Sequence, residues 1–215
     1  MNKNLIAALL LGAIVVPALQ GCFPIIAAGV TTGVLATVDR RSVGTQTEDE
    51  SIEWKASARV GEKLGDKAHF NITSYNRKVL VTGEVLTEDV KAEVESIVGS
   101  IPNVQEVLNY LSIGSPSSFS NRSNDAFITS KVKSRSLDTG KFNPVHAKVV
   151  TEAGVVYLMG MLTQPEADAA INVARHTAGV KKVVNLLEII APAKARELDV
   201  TQSKNNGKPA EVTTP

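Results

Sequence analysis

The feature that most constrains this chain is a pattern that occurs twice. Val107-Leu108-Asn109-Tyr110-Leu111-Ser112-Ile113 and Val183-Val184-Asn185-Leu186-Leu187-Glu188-Ile189 both read V-x-N-x-L-x-I, at an offset of 76 residues. Upstream, the run ending at Gly83 matches the run ending at Gly160, and His69 faces His146, at an offset of 77. One residue is lost between Gly160 and Thr163, which restores the shorter offset. A match carried over several segments means one supersecondary unit built twice.

Each unit follows the same plan. Ile52, Ala56 and Val60 stand at i, i+4 and i+8, and Ile128, Val132 and Ser136-Leu137 stand at the matching places. That spacing makes one apolar stripe on a helix. Two short β-rich runs follow, about 146–151 and 155–160 in the second unit, joined by Glu152-Ala153-Gly154. In the first unit the turn is Tyr75-Asn76-Arg77, where Asn76 tolerates a positive φ. A second helix opens on Thr163-Gln164-Pro165-Glu166, a capping-box sequence, with Thr87 as the equivalent cap. Asn103 and Gly179 close the two helices, as residues that accept the left-handed conformation. The V-x-N-x-L-x-I strand ends the unit. The expected fold class is α+β, with two tandem α-β-β-α-β domains. Each has a three-stranded sheet covered on one face by two helices. Aromatic residues make up only 4% of the chain, so the cores are expected to be aliphatic.

The start of the chain sets the expected compartment. Lys3 precedes an apolar run from Leu5 to Leu19, shorter than the roughly 20 residues of a comfortable membrane span. The run ends Leu19-Gln20-Gly21-Cys22, which resembles a lipobox. Residues 1–21 read as a lipoprotein signal peptide, and Cys22 as the acylated residue of the mature chain. Cys22 is the only cysteine. Acylation would remove an otherwise free thiol from an oxidising compartment; the plainer reading is an ordinary signal peptide followed by an incidental cysteine. Phe23 follows, where Asp would signal inner-membrane retention, so outer-membrane sorting is expected. Phe23 to Val38 carries no charge and reads either as an interfacial stretch or as a small-residue spacer. The expected boundaries are a lipidated linker at 22–45, a first domain at 46–114, a linker at 115–123, a second domain at 124–191, and a disordered polar tail at 192–215.

The V-x-L-x-G type of hairpin strand in Val156-Tyr157-Leu158-Met159-Gly160 and the join Gly179-Val180-Lys181-Lys182-Val183 resemble the BON domain. The first unit departs at that join, with Asn103-Val104-Gln105-Glu106-Val107. Asp39 to Thr47, Asn124-Asp125 and Ile128-Thr129 also resemble the two-BON outer-membrane lipoproteins, and the resemblance covers nearly all of Cys22 to Pro192. It implies a periplasm-facing protein with a role in outer-membrane integrity. It also implies that the second domain binds phospholipid, with an aromatic residue on its first helix.

No catalytic constellation is visible. His69 and His146 occupy the same place in both units, which argues for a local structural role. No HxxxH or HExxH spacing occurs, so no metal site is expected, and no cofactor beyond a covalent lipid on Cys22. Net charge is +1, with no bulk signature of nucleic-acid binding. The informative contrast lies between the two first helices. Lys55 and Arg59 match Lys131 and Arg135, a basic stripe in both units. Only the second adds Phe127, against Ser51, and Lys133 and Lys141. Residues 124–190 carry eight basic and six acidic side chains, a net +2; residues 52–113 carry seven and nine, a net −2. An aromatic beside cations suits an anionic headgroup surface. The expected lipid-binding residues are therefore Phe127, Ile128, Lys131, Lys133 and Arg135, with anionic phospholipid as partner. The other reading left open is an interaction protein docking an envelope-assembly or cell-wall partner, with Phe127 packed on the neighbouring domain.

Overall fold

The computed structural model describes residues 39–65 and 68–206. Residues 1–38, which hold the expected signal peptide and Cys22, lie outside the described residues.

The two expected units are present and equivalent. The first comprises α1 (Val43–Leu64), β1 (His69–Tyr75), β2 (Lys78–Val85), α2 (Glu88–Gly99) and β3 (Glu106–Ile113). The second comprises α3 (Phe119–Thr139), a 3₁₀ turn (Pro144–His146), β4 (Ala147–Glu152), β5 (Val155–Leu162), α4 (Gln164–Arg175) and β6 (Lys182–Ile189). In each sheet the second strand is central, antiparallel to the first and parallel to the third. Gly83 lies opposite Leu111 and Gly160 opposite Leu187, so the two V-x-N-x-L-x-I strands sit in the same register. These glycines are required by contact. A Cβ on Gly83 would stand 2.1 Å from the His69 carbonyl oxygen, and one on Gly160 would stand 2.3 Å from that of His146.

The turns carry the expected backbone. Asn76 and Arg77 both have positive φ, as do Ala153 and Gly154, the signature of a two-residue turn that matches strand twist. Asn103 and Gly179 are also positive in φ. Ser42, Thr87 and Ser118 each accept a backbone N–H at a helix start, while Glu166 accepts the Thr163 N–H in the return half of a capping box.

Each domain has its own aliphatic core. Ile52, Ala56, Val60, Val79, Val81, Val94 and Leu111 form the first; Ile128, Val132, Val156, Leu158, Ala170 and Leu187 form the second. A third apolar cluster joins them. Tyr75 and Leu80 pack with Tyr157, Met159 and Met161, and Leu198 leans on the same cluster. The two sheets thus meet through the faces that the helices leave bare.

Three boundaries differ from the sequence reading. α1 begins at Val43, inside the expected linker, and α3 at Phe119, inside the expected interdomain segment. The polar segment read as a tail instead forms α5 (Pro192–Asn206). Its helix formers alone are marginal in water. Burial of Ala195 and Gln202 and the bonds between Asp199 and Arg40 give the segment its tertiary support. Arg40 also reaches Glu166 and the Met161 carbonyl, so the residues just before α1 are docked onto the second domain.

Candidate functional site

The surface of α3 divides by angle. At about 100° per residue, Ile128, Val132 and Ser136 face the core and Phe127 points away from it. Phe127 is 62% exposed and Leu137 is 69% exposed. Lys131 and Arg135 lie along one edge of this exposed face, and Lys133 and Leu137 along the other.

Two expectations are corrected here. Ile128 is 0% exposed and sits in the second core, so it cannot reach a lipid. The apolar stripe also closes on Ser136, whose hydroxyl donates to the Val132 carbonyl, and this turns Leu137 outward. A rigid 100° step gives both results: Ile128 falls beside Val132, whereas Leu137 falls on the side of Phe127.

The basic residues are arranged in two ways. Lys131 Nζ stands 4.7 Å from the Phe127 ring centroid and donates to the Ala178 carbonyl. Arg135 donates to the His176 carbonyl at 2.6 Å. Both cations therefore complement the C-terminal end of α4, where orphan carbonyls gather negative charge. In the first domain Arg59 points to the same helix end but reaches the Ser100 hydroxyl, at 3.5 Å. In the second domain the basic stripe thus has a structural use that sequence did not reveal. Lys133 faces elsewhere, onto a groove of about 530 Å³ also lined by Leu137, Phe142, Pro144, Val145 and Val149. On the first helix of the first domain the exposed aromatic is Trp54, with Glu50 and Ser51 one turn before it where the second domain has Ala126 and Phe127.

A second cluster was not foreseen. His69 Nδ1 lies 3.0 Å from Glu84 Oε2 and 3.8 Å from Glu152 Oε1, and one ligand atom from each residue falls within 4.8 Å of the other two. Glu152 Oε2 accepts Asn71 Nδ2 and Thr82 Oγ1, while Glu84 Oε2 accepts the Ser117 N–H. Burial, opposed by the Asn71 bond and His69 and reinforced by the charge of Glu84, holds the Glu152 carboxyl above its ordinary range. The three residues come from three strands in two domains, so no local spacing signals them.

Two α-β-β-α-β units of this topology, packed through their sheets, define a tandem BON-domain protein. The BON domain model matches residues 49–115 and 124–191, and the chain belongs to that family. It is similar to the outer membrane lipoprotein DolP of Haemophilus influenzae, 35% identical over 85% of this chain and 95% of that protein. It is also similar to the 21 kDa hemolysin of Actinobacillus pleuropneumoniae, 33% identical over 71% of this chain and 80% of that protein. A solved structure of CdsD from Chlamydia trachomatis aligns over 69% of this chain and 97% of that chain, at 12% identity and a TM-score of 0.29. The first likeness places the chain among outer-membrane lipoproteins. Among the described residues, no helix is long and apolar enough to cross a membrane.

Proposed function

We propose that the chain is tethered to the outer membrane by acyl chains on Cys22, faces the periplasm, and binds anionic phospholipid through the exposed face of α3. It acts as a binding protein rather than a catalyst, and it supports envelope integrity by that contact. The observation that carries this reading is Phe127, a large apolar ring left in solvent, with Lys131 at 4.7 Å from it and Lys133, Arg135 and the exposed Leu137 further along the same helix.

Magnitudes assign the parts. Burying an aromatic side chain contributes about 1.5–3 kcal/mol, and each cation near an anionic surface about 1 kcal/mol. That contact alone is weak and reversible. Two acyl chains, at about 0.8 kcal/mol per CH₂, hold the protein for good. The tether therefore fixes the protein at the membrane, and α3 selects the lipid. The Haemophilus protein is named as an outer membrane lipoprotein, which supports the location.

The test uses the chain from Phe23 onward with phosphatidylglycerol and phosphatidylcholine vesicles. Phe127→Ala should weaken binding to the anionic vesicles about tenfold, at low and high salt alike. Lys133→Glu should weaken it mainly at low salt, since exposed charges are screened over about 10 Å at 0.1 M. Lys55→Glu with Arg59→Glu should change little. Unaltered binding by Phe127→Ala would favour an interaction protein instead, with lipid contact incidental.

A further inference from the structure

We propose that His69, Glu84 and Glu152 form a divalent transition-metal site, of the kind that takes Zn²⁺, bridging the two domains. The donor set is one imidazole nitrogen and two carboxylate oxygens. His69 Nδ1 stands 3.0 Å from Glu84 and 3.8 Å from Glu152, and the three ligand atoms all lie within 4.8 Å of one another. Around an ion bonded tetrahedrally at about 2.0–2.2 Å they would stand about 3.3–3.6 Å apart, so side-chain shifts of up to about 1.5 Å bring them into place. Imidazole favours Zn²⁺ and its neighbours over Mg²⁺ or Ca²⁺, which take oxygen ligands.

The surroundings fit a metal better than a plain ion pair. Asn71, Thr82 and the Ser117 N–H already orient the carboxylates, as outer partners do around metal ligands. Glu152 Oε1 is left facing His69 at a distance too long for a hydrogen bond. The Glu84 and Glu152 side chains are only 11% and 7% exposed. Among the described residues, no Lys or Arg pairs with either. With both carboxyls ionised the cluster carries at least one uncompensated negative charge, which a divalent ion balances. Small cavities flank the cluster on both sides, one lined by Asn71 and Thr129 and the other by Ser117 and Asn121, so open coordination positions reach solvent.

The repeat supplies an internal control. At the offset of 77, His69, Glu84 and Glu152 correspond to His146, Met161 and Tyr75. Those three also meet across the domain interface, where the Tyr75 hydroxyl donates to the His146 carbonyl at 3.2 Å and Tyr75 and Met161 share the joining cluster. The interface is thus closed once with apolar side chains and once with carboxylates. Packing alone does not call for the acidic pair.

The test is Zn²⁺ titration of the metal-stripped full-length chain, followed by calorimetry and thermal unfolding. One Zn²⁺ should bind per chain. At about a hundredfold excess over its Kd it should raise the unfolding midpoint by about 5–10 °C. Co²⁺ should replace it and give a visible absorption band, and Mg²⁺ should do neither. His69→Gln should abolish the shift and the band. So should the double substitution Glu84→Met with Glu152→Tyr, which rebuilds the sister cluster and keeps a residue set that already packs at this interface. His69→Gln decides the matter if the double variant fails to fold. The absence of any Zn²⁺ or Co²⁺ response overturns the proposal and leaves a proton-sharing cluster. An equal response in every variant also overturns it, because the ion then binds elsewhere.

Discussion

At the scale of single residues, the turn in each hairpin depends on a buried aspartate of the preceding helix. Asp49 accepts the Asn76 and Arg77 N–H groups, the Ser74 hydroxyl and Arg41. Burial pushes its carboxyl up, but those four partners outweigh burial and leave it below its ordinary value. Asp125 accepts the Ala153 and Gly154 N–H groups at the equivalent place. Asp49→Ala would strand two turn donors and the Ser74 hydroxyl and remove one of the two carboxylates that hold Arg41, whose bonds to Asp39 remain, so it should cost about 2–4 kcal/mol. Asp125→Ala strands only the turn donors and should cost about 1–3 kcal/mol. Urea unfolding of the two variants measures both losses, and the first should be clearly larger. This pairing was written in the repeat, because Asp49 and Asp125 are 76 residues apart. An acid on a helix ordinarily reads as solvated, so the repeat alone does not give these aspartates a turn-holding role. The exposure of Phe127 was legible for a different reason. This residue stands where the first unit has Ser51, and a residue outside the shared apolar stripe has nothing in its own domain to pack against.

At the scale of elements, α5 and the start of α1 hold each other through Arg40. Its guanidinium is 3% exposed and bonds Glu166 at 2.8 Å and Asp199 at 2.9 Å. Burial raises the Glu166 carboxyl, yet Arg40 and the Thr163 N–H outweigh it and hold the group at about 2. A carboxyl depressed in the folded state contributes stability that is complete above its unfolded value of about 4.3 and lost as pH falls toward 2. The chain should therefore lose on the order of 2 kcal/mol from this group between those limits. Arg40→Ala should be less stable at neutral pH, and its stability should fall less steeply across that acid window. Denaturant unfolding at several pH values between 5 and 2.5 checks both. The helices and strands inside each unit were legible because periodicity, caps and turn residues are local. α5 was not, because its partner Arg40 lies 159 residues from Asp199. A segment whose only support is a distant charge and a few small buried contacts looks, in sequence, like a solvated tail.

At the scale of the whole molecule, the question is whether two domains with separate cores unfold as one. Leu80 and Met159 belong to neither core; both are buried in the cluster that joins the sheets, where Tyr110 and Tyr157 also meet edge to face at 5.1 Å. The interface adds polar bonds, among them Lys148 to Glu53 and Asn76 to Glu188. A domain of this size is marginal alone, so sharing an apolar face links the stability of each copy to the other. The wild-type chain should then show one cooperative calorimetric transition. Leu80→Asp with Met159→Asp places charges in the joining cluster while sparing Ile52, Val94, Ile128 and Leu158, which hold the separate cores. Burying an unpaired charge is costly enough to open the interface rather than be tolerated within it. The double variant should unfold in two steps, the first at lower temperature. It should also lose the Zn²⁺ response, because His69 and Glu84 no longer meet Glu152. Vesicle binding should survive below the first transition of the second domain, because α3 rests on Ile128 and Val132 within that domain's own core. A single transition in the variant would mean that the domains are coupled by the Arg40 and Lys148 contacts instead of the apolar cluster, and Arg40→Ala would then be the change that separates them.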